Sequence, residues 1–113
     1  MFNSIIKAAH AKPNEEICGI ITKDFLVFAD NISKNPRIHF EISPSIYFDI
    51  KIKSGIEISS VFHSHVLGSA EPSLADTEMS DNCLINYLIY SIITNEFCTY
   101  NPLLKQKKYF RSV

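Results

Sequence analysis

Two histidines separated by a single residue, His63-Ser64-His65, are followed after seven intervening residues by Ser73 and after two more by Asp76. Two neutral imidazoles and a carboxylate are what a catalytic zinc site requires, because three protein ligands leave the fourth tetrahedral position open to water. Upstream, Glu16 is a carboxylate that can act as a base beside such a site. Together these residues suggest attack of a metal-activated water on a carbonyl. A purely structural reading leaves Ser73 and Asp76 as a helix cap and the histidines as polar residues at a strand end. That reading gives no reason for two imidazoles side by side.

The elements around these residues support a shared site. Ile58-Ser59-Ser60-Val61-Phe62 is a β-branched and apolar run that reads as a strand ending at His63. Residues i and i+2 of a strand share a face, so His63 and His65 can reach one metal while Ser64 points away to a supporting hydrogen bond. Gly68 to Pro72 reads as a loop. Ser73 is then a good helix N-cap, with Asp76 at the third helical position, able to return the capping contact. The positive end of the helix dipole favours an ionised Asp76 there.

The rest of the chain alternates. Phe2, Ile5, Ile6 and Ala9 lie at helical spacing ahead of Pro13. Cys18–Thr22 and Phe25–Phe28 read as strands joined by Lys23-Asp24. Asn31 to Pro36 is a loop, His39–Ile42 alternates as a strand, and Ser43-Pro44 opens a helix that carries Ile46, Tyr47 and Ile50 and stops at Gly55. Leu84 to Ile93 is apolar except at Asn86 and Ser91, which fits a central strand. Phe97–Tyr100 and Lys108–Phe110 read as later strands. Elsewhere, His10 and His39 are expected to be structural or surface groups, Cys18 a buried small hydrophobe and Glu15 a solvent-facing neighbour of the base.

Composition narrows the function. The 113 residues suit one domain, 1–113, and 46% hydrophobic residues suffice for one core. A net charge of −1 gives no electrostatic case for nucleic acid, which calls for a basic face; the one basic cluster, Lys105-Gln106-Lys107-Lys108 with Arg111, reads as a solvated end or a partner contact rather than an RNA site. The first twelve residues lack a continuous apolar core and a cleavage site, and the apolar run at Leu84–Ile93 is too short to span a bilayer. Three widely spaced cysteines fit free thiols better than a disulfide framework. The expectation is therefore a cytoplasmic protein without a membrane or nucleic-acid partner.

Glu16-Ile17-Cys18-Gly19-Ile20-Ile21, His63-Ser64-His65 and Ser73-Leu74-Ala75-Asp76 resemble the JAMM (MPN-plus, Mov34 or JAB type) zinc metalloprotease domain. The likeness runs from about Pro13 to Ile93. Asn31-Ile32, Asn35-Pro36, His39-Phe40-Glu41-Ile42-Ser43-Pro44 and Glu71-Pro72-Ser73 are similar to prokaryotic and phage-tail members, the group of the lambda-type tail assembly protein K. The resemblance implies an α/β fold, a single αβα-layered domain around a central mixed β-sheet, in the cytidine-deaminase-like JAB1/MPN architecture. It implies that His63, His65 and Asp76 bind Zn2+, that Glu16 is the general base and that Ser73 helps to hold the oxyanion. The implied activity is cleavage of a peptide or isopeptide bond, in phage tail assembly or in processing of a ubiquitin-like protein. Val66 stands where members commonly carry proline, and Leu84-Ile85-Asn86-Tyr87 where phage members often carry tryptophan. A tail-assembly or scaffold module that keeps zinc without turnover is the alternative, and Glu16 favours the enzyme. A deaminase would need a Cys-x-x-Cys pair that this chain lacks.

Overall fold

The computed structural model describes residues 1–112. Helix α1 (Phe2–Ala11) turns its apolar stripe inward, with Ile5 and Ala9 fully buried and Phe2, Ile6 and Ala8 packed around them. It ends at Lys12, because Pro13 would break the next helical hydrogen bond. Strands β1 (Cys18–Thr22) and β2 (Leu26–Ala29) form the expected hairpin, with β2 displaced by one residue from the sequence reading. Phe25 is drawn into the turn, where its carbonyl accepts bonds from the Thr22 amide and hydroxyl.

Beyond β2 the structure departs from expectation at His39–Ile42, which forms no strand. The Asn31 side chain takes over the backbone groups a neighbouring strand would have used. Its Nδ2 donates to the carbonyls of Glu16 and His39, and its Oδ1 accepts from the amides of Ser33 and Glu41. Only the Ile32 amide, bonded to the Glu41 carbonyl, resembles a ladder rung. Helix α2 (Pro44–Phe48) starts at its proline as read, but residues Asp49–Lys53 continue it as a π-helical turn. Gly55 follows at φ +63°, a backbone conformation that suits glycine.

Strand β3 (Ile58–His65) runs through both histidines rather than stopping at the first. Helix α3 (Leu74–Cys83) follows, and β4 (Asn86–Ser91) is shorter than the apolar run predicted, because Leu84 caps α3 in the left-handed conformation. Strands β5 (Glu96–Asn101) and β6 (Gln106–Phe110) close the chain as two hairpin partners.

The six strands form one mixed sheet in the order β2-β1-β3-β4-β5-β6, in which only β3 and β4 are parallel. A parallel pair needs a crossover, and α3 supplies it. On one face α1 covers Phe62, Leu88, Tyr90 and Phe97; on the other, α2 and its π turn pack near Ile20, Val61, Tyr87 and Tyr100. Helix α3 lies on this second face, where Asp81 accepts from the Tyr100 hydroxyl. The three layers thus match the expected αβα arrangement.

Gly19 is fixed by the same packing. A Cβ there would lie 2.1 Å from the Val27 carbonyl oxygen and 2.4 Å from the Phe62 ring, so only glycine lets β1 pass beneath that ring. No helix among the described residues is long and apolar enough to cross a membrane.

Candidate metal centre

Ligands in open α/β sheets gather beyond the carboxyl ends of parallel strands, and here that position is the end of β3. Strand alternation puts His63 and His65 on the α3 face with Val61, and turns Ser64 to the opposite side. From the start of α3, Asp76 meets both rings. Its Oδ1 lies 3.1 Å from His63 Nε2, and its Oδ2 lies 3.0 Å from His65 Nε2. Nitrogen and oxygen atoms of these three residues all come within 4.8 Å of one another, close enough to share one ion.

The capping box read from the sequence is formed in full. Ser73 Oγ accepts from the Asp76 amide at 3.1 Å, and Asp76 Oδ2 accepts from the Ser73 amide at 3.0 Å. Three residues of local geometry therefore aim the carboxylate back at β3. Burial alone would raise the Asp76 pKa, but the two imidazoles and the Ser73 amide outweigh it and hold the carboxyl well below the usual range.

The two histidines differ. His65 Nδ1 lies 2.8 Å from the Ser69 carbonyl oxygen, which can only accept, so Nδ1 carries hydrogen and Nε2 is the nitrogen free for a metal. Burial pushes its pKa down, yet the bonds to Asp76 and Ser69 prevail and raise it. His63 is fully buried, and burial lowers its pKa despite Asp76. Its Nε2 is near Oδ1, but the approach lacks hydrogen-bond geometry, and neither ring nitrogen has a partner. The ring is clamped between Phe40, stacked at 4.2 Å, and the edge of Tyr87 at 5.5 Å. A buried imidazole costs stability unless its nitrogens are used, so the donor set fits a zinc ion.

Glu16 reaches the same place through strand pairing. Cys18 pairs with His63, and continuing that register by two residues sets Glu16 across from His65. Ser64 secures the continuation: its Oγ accepts from the Ile17 amide at 2.9 Å, and its amide donates to the Ile17 carbonyl at 3.0 Å. Asn31 and the Pro36 carbonyl, which accepts from the Glu16 amide at 2.7 Å, hold Glu16 from the other side. Glu16 is buried while Glu15 faces solvent, as expected. Burial pushes its carboxyl up to about 8, with His65 opposing and Asp76 adding.

Glu16, His65, Ser73 and Asp76 line a cavity of about 180 Å³, rimmed by Arg37 and Leu67. All five residues singled out in the sequence are therefore brought together. Asn31, Phe40 and Ser69, which support them, were not singled out; an asparagine heading a loop was the only signal among them. Of the remaining histidines, His10 bonds the Tyr90 hydroxyl at 3.0 Å, and His39 is exposed, as expected, but stands at the rim of the same cavity.

Other proteins share this arrangement of elements. The fold is similar to that of protein DSY2949 from Desulfitobacterium hafniense, with 20% identity, 99% of this chain and 86% of that one covered, and a TM-score of 0.68. It is similar to AF2198, a JAB1/MPN domain protein from Archaeoglobus fulgidus, with 20% identity, 98% and 92% covered, and a TM-score of 0.59. A third similar structure is described as JAMM, a metalloprotease-like zinc site in the proteasome and signalosome, with 16% identity, 98% and 89% covered, and a TM-score of 0.58. No curated protein matches the chain. The sequence model for prokaryotic homologs of the JAB domain matches residues 1–101, nearly the whole chain, and the chain belongs to that family.

Proposed function

We propose that this protein is a zinc-dependent metallopeptidase or isopeptidase, with His63, His65 and Asp76 as metal ligands, Glu16 as general base and Ser73 as oxyanion donor. The observation that carries the reading is His63: a fully buried imidazole with two unpartnered nitrogens, held by stacking beside a second, oriented imidazole. Bound zinc would supply Lewis acidity and lower the pKa of a water. Glu16 takes the proton from the attacking water and passes it to the leaving amine, from a buried position across from His65. Ser73 Oγ already accepts from the Asp76 amide, which leaves its O–H free to donate to the developing oxyanion. The Ser69 carbonyl, accepting from His65 Nδ1, holds that ring in orientation.

The substrate we propose is a protein or peptide, a ubiquitin-like protein or a phage tail protein, met in the cytoplasm. All three cysteines are free thiols, which is consistent with a reducing compartment. Protein produced in zinc-replete medium is expected to carry about one zinc per chain, and its absence by elemental analysis would remove the ligand assignment. Against a panel of ubiquitin-like fusions and tail-protein peptides, Glu16→Gln should keep the metal and lose cleavage. Equal cleavage by the variant would exclude Glu16 as the base, and zinc with no cleavage by the wild type would favour the scaffold alternative.

A further inference from the structure

The loop 66–72, between His65 and Ser73, is tied down at two points, Gly68 and Glu71, by residues outside the five of the site. Ser91, fully buried at the end of β4 and paired in register with His65, donates its hydroxyl to the Gly68 carbonyl at 2.6 Å. The same oxygen accepts from the amides of Ile93 and Thr94, at 3.2 and 3.1 Å, so the hydroxyl rotor has one direction left and that direction is the loop. Next to it, the Ile92 amide donates to the His65 carbonyl at 3.2 Å. From outside, the Glu71 carboxylate accepts from Lys107 and from the Tyr109 hydroxyl, both on β6. Between the anchors at Gly68 and Glu71 lies Ser69, whose carbonyl oxygen receives His65 Nδ1–H.

Resting on the metal-centre reading above, we propose that Ser91 is a positioning residue for the zinc site. It staples the loop at Gly68 so that the Ser69 carbonyl meets His65 and leaves Nε2 free for the ion, with Glu71 as the outer anchor of the same loop. Removing the staple lets the carbonyl drift and His65 turn. The acceptor behind a ligating histidine commonly governs metal affinity by about 10–100-fold.

Thr22 provides the control. It is a buried hydroxyl that accepts from the amides of Asp24 and Phe25 and donates to the Phe25 carbonyl, at the far end of β1 from the site. Zinc dissociation constants of the wild type, Ser91→Ala and Thr22→Ala would be measured by competition with a chromophoric chelator. Ser91→Ala should weaken zinc by about 10–100-fold, and Thr22→Ala should lose stability with zinc affinity unchanged. Glu71→Ala, at a half-exposed surface position, should weaken zinc by a smaller factor. Wild-type affinity in a folded Ser91→Ala protein would overturn the proposal while leaving the metal site standing. Should Ser91→Ala not fold, wild-type affinity in Glu71→Ala overturns it. A wild type that binds no zinc would instead sink the metal-centre reading, and this role with it.

Discussion

His63→Leu is expected to make the metal-free protein more stable while abolishing zinc binding. In the absence of metal, His63 buries two unpartnered nitrogens, each costing about 1–3 kcal/mol. Leucine has nearly the same volume and removes both. Against that gain, of about 2–6 kcal/mol, stand the stacking on Phe40 and the attraction to Asp76, together about 2 kcal/mol. The net expectation is a gain of about 0–4 kcal/mol with a midpoint of about 2 kcal/mol, equivalent at the midpoint to a rise in Tm of roughly 8 °C for a domain of this size. Thermal unfolding of both proteins after exhaustive chelation measures it. With zinc at a thousand times its Kd, the wild type regains about 4 kcal/mol by mass action and the order reverses. A chelated His63→Leu protein that melts below the chelated wild type would refute the reasoning: the buried imidazole would then be satisfied without metal.

The remaining expectations concern β1 and its approach to the site. Gly19→Ala should cost about 3 kcal/mol or more in urea unfolding, since its Cβ meets the Val27 carbonyl at 2.1 Å and backbone cannot yield as a flexible side chain does; a loss below about 1 kcal/mol would mean that the sheet adjusts. Glu16 is an acid whose folded pKa, about 8, exceeds its ordinary 4.5, so the folded protein binds the extra proton between those values. Its contribution to metal-free stability is therefore lost as pH rises from about 4.5 to about 8, and Glu16→Gln should gain on the wild type over that window. Parallel denaturation profiles at pH 5 and pH 8 would show that Glu16 is not desolvated.

Several parts of the fold were open to a reader of the sequence because they depend on neighbours along the chain. The α1 stripe, the β1–β2 hairpin and the Ser73–Asp76 cap involve residues within a turn or two of each other, and all form. The strand at His39–Ile42 does not. Its alternation was real, but a strand needs a free backbone edge beside it, and the Asn31 side chain had taken those groups. The reading of Leu84–Ile93 as one strand failed at its start for a similar reason: Leu84 is needed to end α3 before β4 can begin. Ser91 was visible only as a break in an apolar run. That a hydroxyl sits there to hold Gly68, 23 positions away, follows from the β3–β4 register and from no local pattern.

By itself the sequence determined the chemistry on offer: two imidazoles on one strand face, and a carboxylate returned toward them by its own helix cap. These depend on the two-residue period of a strand and the three-residue span of a capping box, both short-range rules. Only the tertiary structure decided that Glu16 faces His65, through the pairing of β1 with β3, and that His63 is sealed under Phe40 with its nitrogens unused. It also decided which nitrogen of His65 is free, because the Ser69 carbonyl that claims Nδ1 is held by anchors on β4 and β6. Burial and long-range pairing turn residue types into ligands with a defined tautomer and a carboxyl with a shifted pKa, and both depend on elements far apart in the chain.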